Sequence, residues 1–253
     1  MATWSSNLMK ALMLAAGRGN RLDSLTNNRA KCLIEINKRT ILEHNLNLAA
    51  MPEVEEIVIV VGYKAEDIIN KIGISYKGKR IKYSIQTEQK GLVHAIETAR
   101  KLIGNDDFVL FLADQVLSKA KISPMVKLFK EKNYFAVCGM IKEEDHSKIS
   151  KTYSIMAGRS GRIHRLIEKP KNPIGNLQGT GFCVFKNSFL DYLDKTQVNP
   201  LRGERELVDW IQCAVDDGKH VQAFIVGEKY TNLNTPDDLL YAKSIMKGIF
   251  NAK

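Results

Sequence analysis

Short, unbroken apolar runs, each followed by a stretch with three- and four-residue apolar spacing, constrain this chain more than any other feature. Ile57-Val58-Ile59-Val60-Val61 has no polar position on either face, so a strand here must be covered on both sides. Residues 9–15, 81–86, 108–112 and 135–140 read as further strands. Between them, residues 41–50, 65–72, 92–103 and 124–132 carry the apolar spacing of amphipathic helices. Strands separated by single helices need crossover connections, and crossovers give a largely parallel sheet with helices on both faces.

After residue 140 the pattern changes. Residues 153–157, 162–168 and 180–185 read as short strands joined by Gly, Ser and Pro turns such as Gly158-Arg159-Ser160-Gly161. Residues 206–217 then read as a helix, 221–226 as a strand and 236–248 as a closing helix, with Thr235 as its N-cap. No repeat, low-complexity tract or long linker divides the 253 residues. The fold class expected is therefore α/β: a single-domain, Rossmann-like, mixed but mostly parallel sheet flanked by helices. A small β-rich part sits in its C-terminal half.

Composition narrows the function. The chain carries 38 Lys+Arg against 28 Asp+Glu, a formal net charge of +10. The lysines are spread along the whole sequence, aromatic residues do not interleave with them, and no helix-turn-helix or zinc-finger pattern occurs, so nucleic acid is not the expected partner. A small polyanion such as a nucleotide accounts for that charge equally well. No apolar run approaches the roughly 18 residues of a membrane span. Residues 1–9 lack a basic segment followed by a long apolar core, so a cytoplasmic location is expected. Cys32, Cys138, Cys183 and Cys213 stand far apart and read as buried free thiols rather than metal ligands. The five histidines, His44, His94, His146, His164 and His220, share no spacing and are given no role.

The chemistry points to the segment Leu14-Ala15-Ala16-Gly17-Arg18-Gly19-Asn20-Arg21-Leu22, directly after the first strand. Its glycines let backbone N–H groups approach phosphate oxygens, and Arg18 and Arg21 add cationic, bidentate donors. Lys31 follows, ahead of the apolar Cys32-Leu33-Ile34. A bare Gly-x-Gly is also an ordinary turn, and neither a P-loop nor a dinucleotide fingerprint fits, because the third glycine and the Gly-Lys-Ser/Thr are missing.

With Lys31, this run resembles the signature loop of nucleoside-triphosphate-dependent sugar-1-phosphate nucleotidyltransferases, Leu-Ala-(Ala/Gly)-Gly-x-Gly-(Thr/Ser)-Arg-Leu followed by Pro-Lys. The similarity extends from Lys10 to about Lys243, with further matches in the family's order. Gln86 and Gly91-Leu92 resemble the glutamine and glycine used against the nucleobase. Phe108-Val109-Leu110-Phe111-Leu112-Ala113-Asp114 is an apolar strand ending in a carboxylate, at the sheet edge where a divalent cation is needed. Glu168-Lys169-Pro170 and Thr180-Gly181 resemble the acceptor-binding elements, and Asn232-Leu233-Asn234-Thr235-Pro236 the element holding a second metal ligand.

The resemblance implies the following roles. Arg21, Lys31 and Asp114 would be catalytic; Leu14, Ala16, Gly17, Gly19, Asn20, Gln86 and Gly91 would bind nucleotide; Glu168, Lys169, Thr180 and Gly181 would bind the acceptor. Mg²⁺ would sit on Asp114 with Asn232 or Asn234. Residues 9–140 would form the nucleotide-binding half and 141–253 the acceptor-binding half with the closing helix. The partners would be a nucleoside triphosphate and a small phosphorylated acceptor, with a homo-oligomer possible. Nothing in the sequence up to the closing helix suggests the β-helix domain of the bifunctional relatives. In the implied reaction an acceptor phosphate oxygen attacks the α-phosphorus in line and pyrophosphate leaves.

The chain departs from the family pattern in five places. Asn20 replaces Thr or Ser, Ala30 replaces the Pro before Lys31, and Gln115 follows Asp114. Asn232 and Asn234 stand where a carboxylate is common, and Tyr153-Ser154 where Tyr-Gly is common. The nucleobase stays open: the Lys31-Cys32-Leu33 wording resembles cytidylyl- and guanylyl-transferring members, and Gly91-Leu92-Val93-His94-Ala95 uridylyl or thymidylyl ones. Three alternatives remain: a cytidylyltransferase for a non-sugar phosphate or phosphonate, a nucleotide-sugar glycosyltransferase, which would want an Asp-x-Asp motif, and a non-catalytic nucleotide-sensing subunit.

Overall fold

The computed structural model describes residues 8–17, 30–200 and 202–247. Its elements run β1 (Met9–Ala15), β2 (Glu35–Ile36), β3 (Arg39–Thr40), α1 (Ile41–Ala49), β4 (Val54–Val61), α2 (Ala65–Ile72), β5 (Ser75–Tyr76), β6 (Lys79–Ile85), α3 (Leu92–Ile103) and β7 (Phe108–Leu112). There follow β8 (Gln115–Leu117), α4 (Ile122–Lys132), β9 (Ala136–Lys142), α5 (His146–Ile149), β10 (Tyr153–Ala157), β11 (Ile163–Glu168), β12 (Leu177–Phe185), α6 (Leu207–Asp216), β13 (Val221–Ile225), β14 (Tyr230–Asn232) and α7 (Pro236–Met246).

One 10-stranded sheet organises the molecule, in the order β11-β10-β12-β7-β1-β4-β6-β5, with β9 pairing β12 and β13. Strands β7, β1, β4 and β6 run parallel, and β12 lies antiparallel to both β7 and β9. The unbroken apolar runs explain the layers. Along β1, Leu12 and Leu14 face one core while Ala11, Met13 and Ala15 face the other. In β4, Val58 and Val60 alternate with Ile57, Ile59 and Val61 in the same way. Helices α3 and α6 cover the first face, with Trp210 of α6 packed between Phe185 and Phe189. Helices α1, α2 and α4 cover the second. A smaller cluster of Ile36, Ile41, Val116, Leu233, Ala242 and Met246 seats α7 against β8 and α1.

Helix ends follow local chemistry. Thr40 and Glu43 form a reciprocal capping box on α1, and Thr235 and Asp238 form another on α7, where Thr235 is the N-cap the sequence indicated. Helix α4 starts at Ile122, before the expected position 124, because Pro124 sits in the first turn, where a missing N–H costs nothing. Strand β4 begins at Val54 and β12 at Leu177, both earlier than the sequence pattern indicated. The two-stranded pair of β14 with β8 was not expected: three residues give no periodicity to read. Cys32, Cys138, Cys183 and Cys213 are free thiols, the first three buried. No helix among the described residues is long and apolar enough to cross a membrane.

Trp210 is fully buried. Trp210→Ala is expected to cost about 3–5 kcal/mol of stability, read as a lower urea midpoint with an unchanged slope. A midpoint within error of the wild type would show that this face of the sheet is not a cooperative core.

Candidate active site

Parallel strands end together, so the residues after them share one rim. Ala16 and Gly17 follow β1, Gln86 follows β6, and Ala113 and Asp114 follow β7. Because β12 runs the other way, its first residues, through Gly181, return to the same rim.

At the centre of the rim the Lys31 ammonium lies 2.6 Å from Asp114 Oδ2 and 3.1 Å from Asn234 Oδ1. Lys31 belongs to a single 3-10 turn pinned by the buried Cys32. Burial and the nearby Asp114 carboxylate push the Cys32 thiol up to about 12, so it stays protonated and inert. Leu233 N–H donates to Asp114 C=O and Asn232 pairs with Gln115 across β14 and β8, which carries both asparagines to the carboxylate. Asn232 Oδ1 is buried with no hydrogen-bond partner among the described residues. An orphaned amide oxygen on the same rim as a carboxylate and a second amide oxygen is a donor set suited to a hard divalent cation. No group of three or more His, Cys, Asp or Glu that could hold a metal stands among the described residues.

Two hollows flank this centre. One, of about 320 Å³, is lined by Leu14, Ala16, Gly17, Gln86, Gly91 and Glu204 among others, so it collects the described nucleotide-binding candidates. Gly91 opens α3 at φ +89, and a Cβ there would meet Glu204 Oε2 at 2.5 Å, so only glycine fits. The other, of about 380 Å³, is lined by Lys148, Lys151, Lys169, Asn232 and Asn234 among others. Lys169 holds the left-handed backbone, φ 41, unusual for a residue with a Cβ, and its N–H donates to Thr152 C=O.

Glu168 sits in an ionic cluster. Arg202 lies 3.4 Å from Glu168, 3.4 Å from Glu204 and 2.8 Å from Glu206, and Lys169 lies 3.5 Å from Glu168. Burial and then the Glu206 carboxylate push Glu168 up to about 7, against the pull of Lys169 and Arg202. Arg202 was missed in the sequence. The run Arg202-Gly203-Glu204-Arg205-Glu206 alternates in charge and reads as a solvated surface, yet Glu206 is buried here and Arg202 bridges it to Glu168.

Other expected site residues fall elsewhere. The Thr180 side chain is fully buried and donates to Gly139 C=O, so its hydroxyl is spent on the frame. Gly181 N–H donates to Gln115 Oε1, and a Cβ there would collide with Leu112, so Gly181 too shapes the wall from within. His94, given no role in the sequence, stands 2.8 Å from the Gln86 amide nitrogen. Gly19, Asn20 and Arg21 lie outside the described residues.

The Nucleotidyl transferase family model matches residues 10–247. The chain belongs to that family and is a nucleotidyltransferase. Among curated relatives it is 33% identical to the UTP–glucose-1-phosphate uridylyltransferase AglF of Haloferax volcanii over 91% of this chain and 93% of that protein. It is 26% identical to the glucose-1-phosphate thymidylyltransferase of Streptomyces griseus over 92% of this chain and 64% of that one. Its fold matches a crystal structure of UDP-glucose pyrophosphorylase complexed with UDP-glucose, with a TM-score of 0.84 at 22% identity, covering 94% and 97% of the two chains.

The raised Glu168 carboxyl makes stability depend on pH. With its folded value near 7 and an ordinary value of 4.5, the folded chain holds more protons than the unfolded one between them. The contribution of the neutral form is complete below the ordinary value and is lost as pH rises through about 7. Melting curves from pH 5 to 8 are expected to show the wild type losing ground to Glu168→Gln; parallel pH profiles would remove the burial argument.

Proposed function

We propose that this chain joins a nucleoside triphosphate to a sugar 1-phosphate, giving a nucleoside-diphosphate sugar and pyrophosphate. The observation that carries the proposal is the convergence of Lys31, Asp114 and Asn234 on one rim, between a hollow lined by Gln86 and Gly91 and another lined by Lys169. The names of the relatives support a uridylyl or thymidylyl donor and a glucose 1-phosphate acceptor.

In this mechanism the nucleotide lies across the half containing residues 9–140 and the acceptor against residues 141–253. An acceptor phosphate oxygen attacks the α-phosphorus; the new P–O bond forms as the bond to the β-phosphate oxygen breaks, and pyrophosphate leaves with the electron pair. Both reactants are anionic, so neutralisation and alignment dominate and no protein nucleophile is needed. The acceptor's second pKa is about 6, so a general base is not required either. Lys31 turns from Asp114 to the α-phosphate, and Lys169 draws in the acceptor phosphate. Glu168, braced by Arg202, receives sugar hydroxyls. Arg21 and the Gly17–Asn20 backbone hold the leaving phosphates. Asp114, with Asn232 and Asn234, would hold Mg²⁺. When bound, that ion supplies Lewis-acid neutralisation of the transferred phosphoryl group.

The test pairs four nucleoside triphosphates with glucose 1-phosphate, other sugar 1-phosphates and non-sugar phosphates, reading pyrophosphate release with and without Mg²⁺. Release is expected with UTP or dTTP and a sugar 1-phosphate, and Asp114→Asn is expected to lower kcat about 10²-fold or more. Release only with CTP and a non-sugar phosphate would overturn the acceptor assignment. Unchanged turnover in Asp114→Asn would remove its catalytic role.

A further inference from the structure

The nucleotide hollow contains a hydrogen-bond pattern that bears on the choice of base. The Gln86 amide nitrogen faces two acceptors, His94 Nδ1 at 2.8 Å and Gly91 C=O at 3.3 Å. An amide NH₂ carries two hydrogens, so both are spent. A carbonyl oxygen only accepts, which fixes the nitrogen end of the amide toward Gly91 and excludes the flipped arrangement. His94 Nδ1 must then accept as well, which leaves the ring proton on Nε2. Gln86 is only 4% exposed and lines the hollow beside Leu14 and Ala16. Its Oε1 makes no hydrogen bond to any described residue. Among the described residues, the side chain therefore leaves one polar atom without a partner, and that atom accepts.

Helix α3 builds this arrangement. Gly91 is its N-cap and His94 lies on its first turn, so one backbone segment presents both acceptors to Gln86 at the end of β6. Removing either acceptor frees an amide hydrogen and lets the group rotate, exposing a donor to the hollow.

We propose that His94 is a specificity-determining positioning residue. By holding the Gln86 amide nitrogen so that Oε1 is left to accept, it selects among pyrimidines one that presents a ring N–H, uracil or thymine, over cytosine, whose ring N3 is a bare acceptor. This deepens the nucleotidyltransferase proposal and rests on the nucleotide occupying that hollow. His94 touches no reacting atom. Its effect falls on nucleotide affinity and base discrimination, and kcat at saturating nucleotide is left alone.

The experiment measures UTP, dTTP and CTP binding by calorimetry for the wild type, His94→Phe and His94→Asn, alongside pyrophosphate release. Phe keeps the ring shape without the acceptor; Asn places an amide oxygen near the position of Nδ1. The wild type is expected to prefer UTP and dTTP to CTP. His94→Phe is expected to reduce that preference about five- to tenfold, the worth of one well-placed hydrogen bond. Its kcat with saturating UTP should stay within about twofold, because the reacting phosphates are untouched. His94→Asn is expected to retain the preference and so shows that an acceptor, rather than an imidazole, is what matters. Three results would overturn the proposal: a wild type that binds CTP as tightly as UTP, an unchanged preference in His94→Phe, or an equal loss of all three nucleotides in that variant. A wild type that binds UTP selectively yet releases no pyrophosphate with any sugar 1-phosphate would overturn the proposed reaction and leave the role of His94 standing.

Discussion

Burial of the central strands on both faces is the constraint from which the rest follows. Strands such as β4, apolar at every position from Ile57 to Val61, cannot meet water on either side. Each must be followed by a helix that crosses over the sheet, and each next strand then starts again at the same edge. The carboxyl ends of β1, β4, β6 and β7 collect along one rim as a result. There the backbone leaves the sheet and its side chains can meet a ligand without disturbing a core. Asp114, Gln86, Ala16 and Gly17 stand at the rim for this single reason.

The second half of the chain closes the rim by a different route. Strand β12 runs antiparallel between β7 and β9, so its glycine-rich start lies beside the end of β7. Polar groups buried there are spent on holding the wall. Gln115 Oε1 accepts from Gly181 N–H, the Tyr153 hydroxyl donates to Thr180 C=O, and the Thr180 hydroxyl donates to Gly139 C=O. Satisfied groups of this kind rigidify a site while leaving chemistry to others. In the proposed reaction, chemistry falls instead to charged side chains: Lys31, Asp114, Lys169 and the cluster of Glu168, Glu206 and Arg202. In that cluster two carboxylates share cations in a desolvated corner, which is why Glu168 is drawn toward neutrality.

The legible and illegible parts of the site divide along physical lines. Lys31 and Asp114 could be named from sequence because the family resemblance singled them out, and Asp114 also ends an apolar run where a parallel sheet opens. Arg202 could not, because an alternating charge run gives no hint that one of its arginines will bridge Glu168 and Glu206. His94 sits on an amphipathic helix at a position no different in pattern from a surface residue. Its significance depends on a hydrogen bond to Gln86, on another element. Thr180 shows the converse: a motif match brought it forward, and only the structure shows that its hydroxyl is spent on Gly139 C=O in the neighbouring strand.

The alternation of the main strands and helices, the parallel core and the rim where its strands end were written in the chain itself. Apolar periodicity and caps such as Thr40 and Thr235 act within a few residues of where they are written. Tertiary structure alone decided which polar atoms remain free. Lys31 meets Asn234 across more than two hundred positions and Gln86 takes its direction from another element, since hydrogen-bond saturation depends on every neighbour in space rather than on the neighbours in the chain.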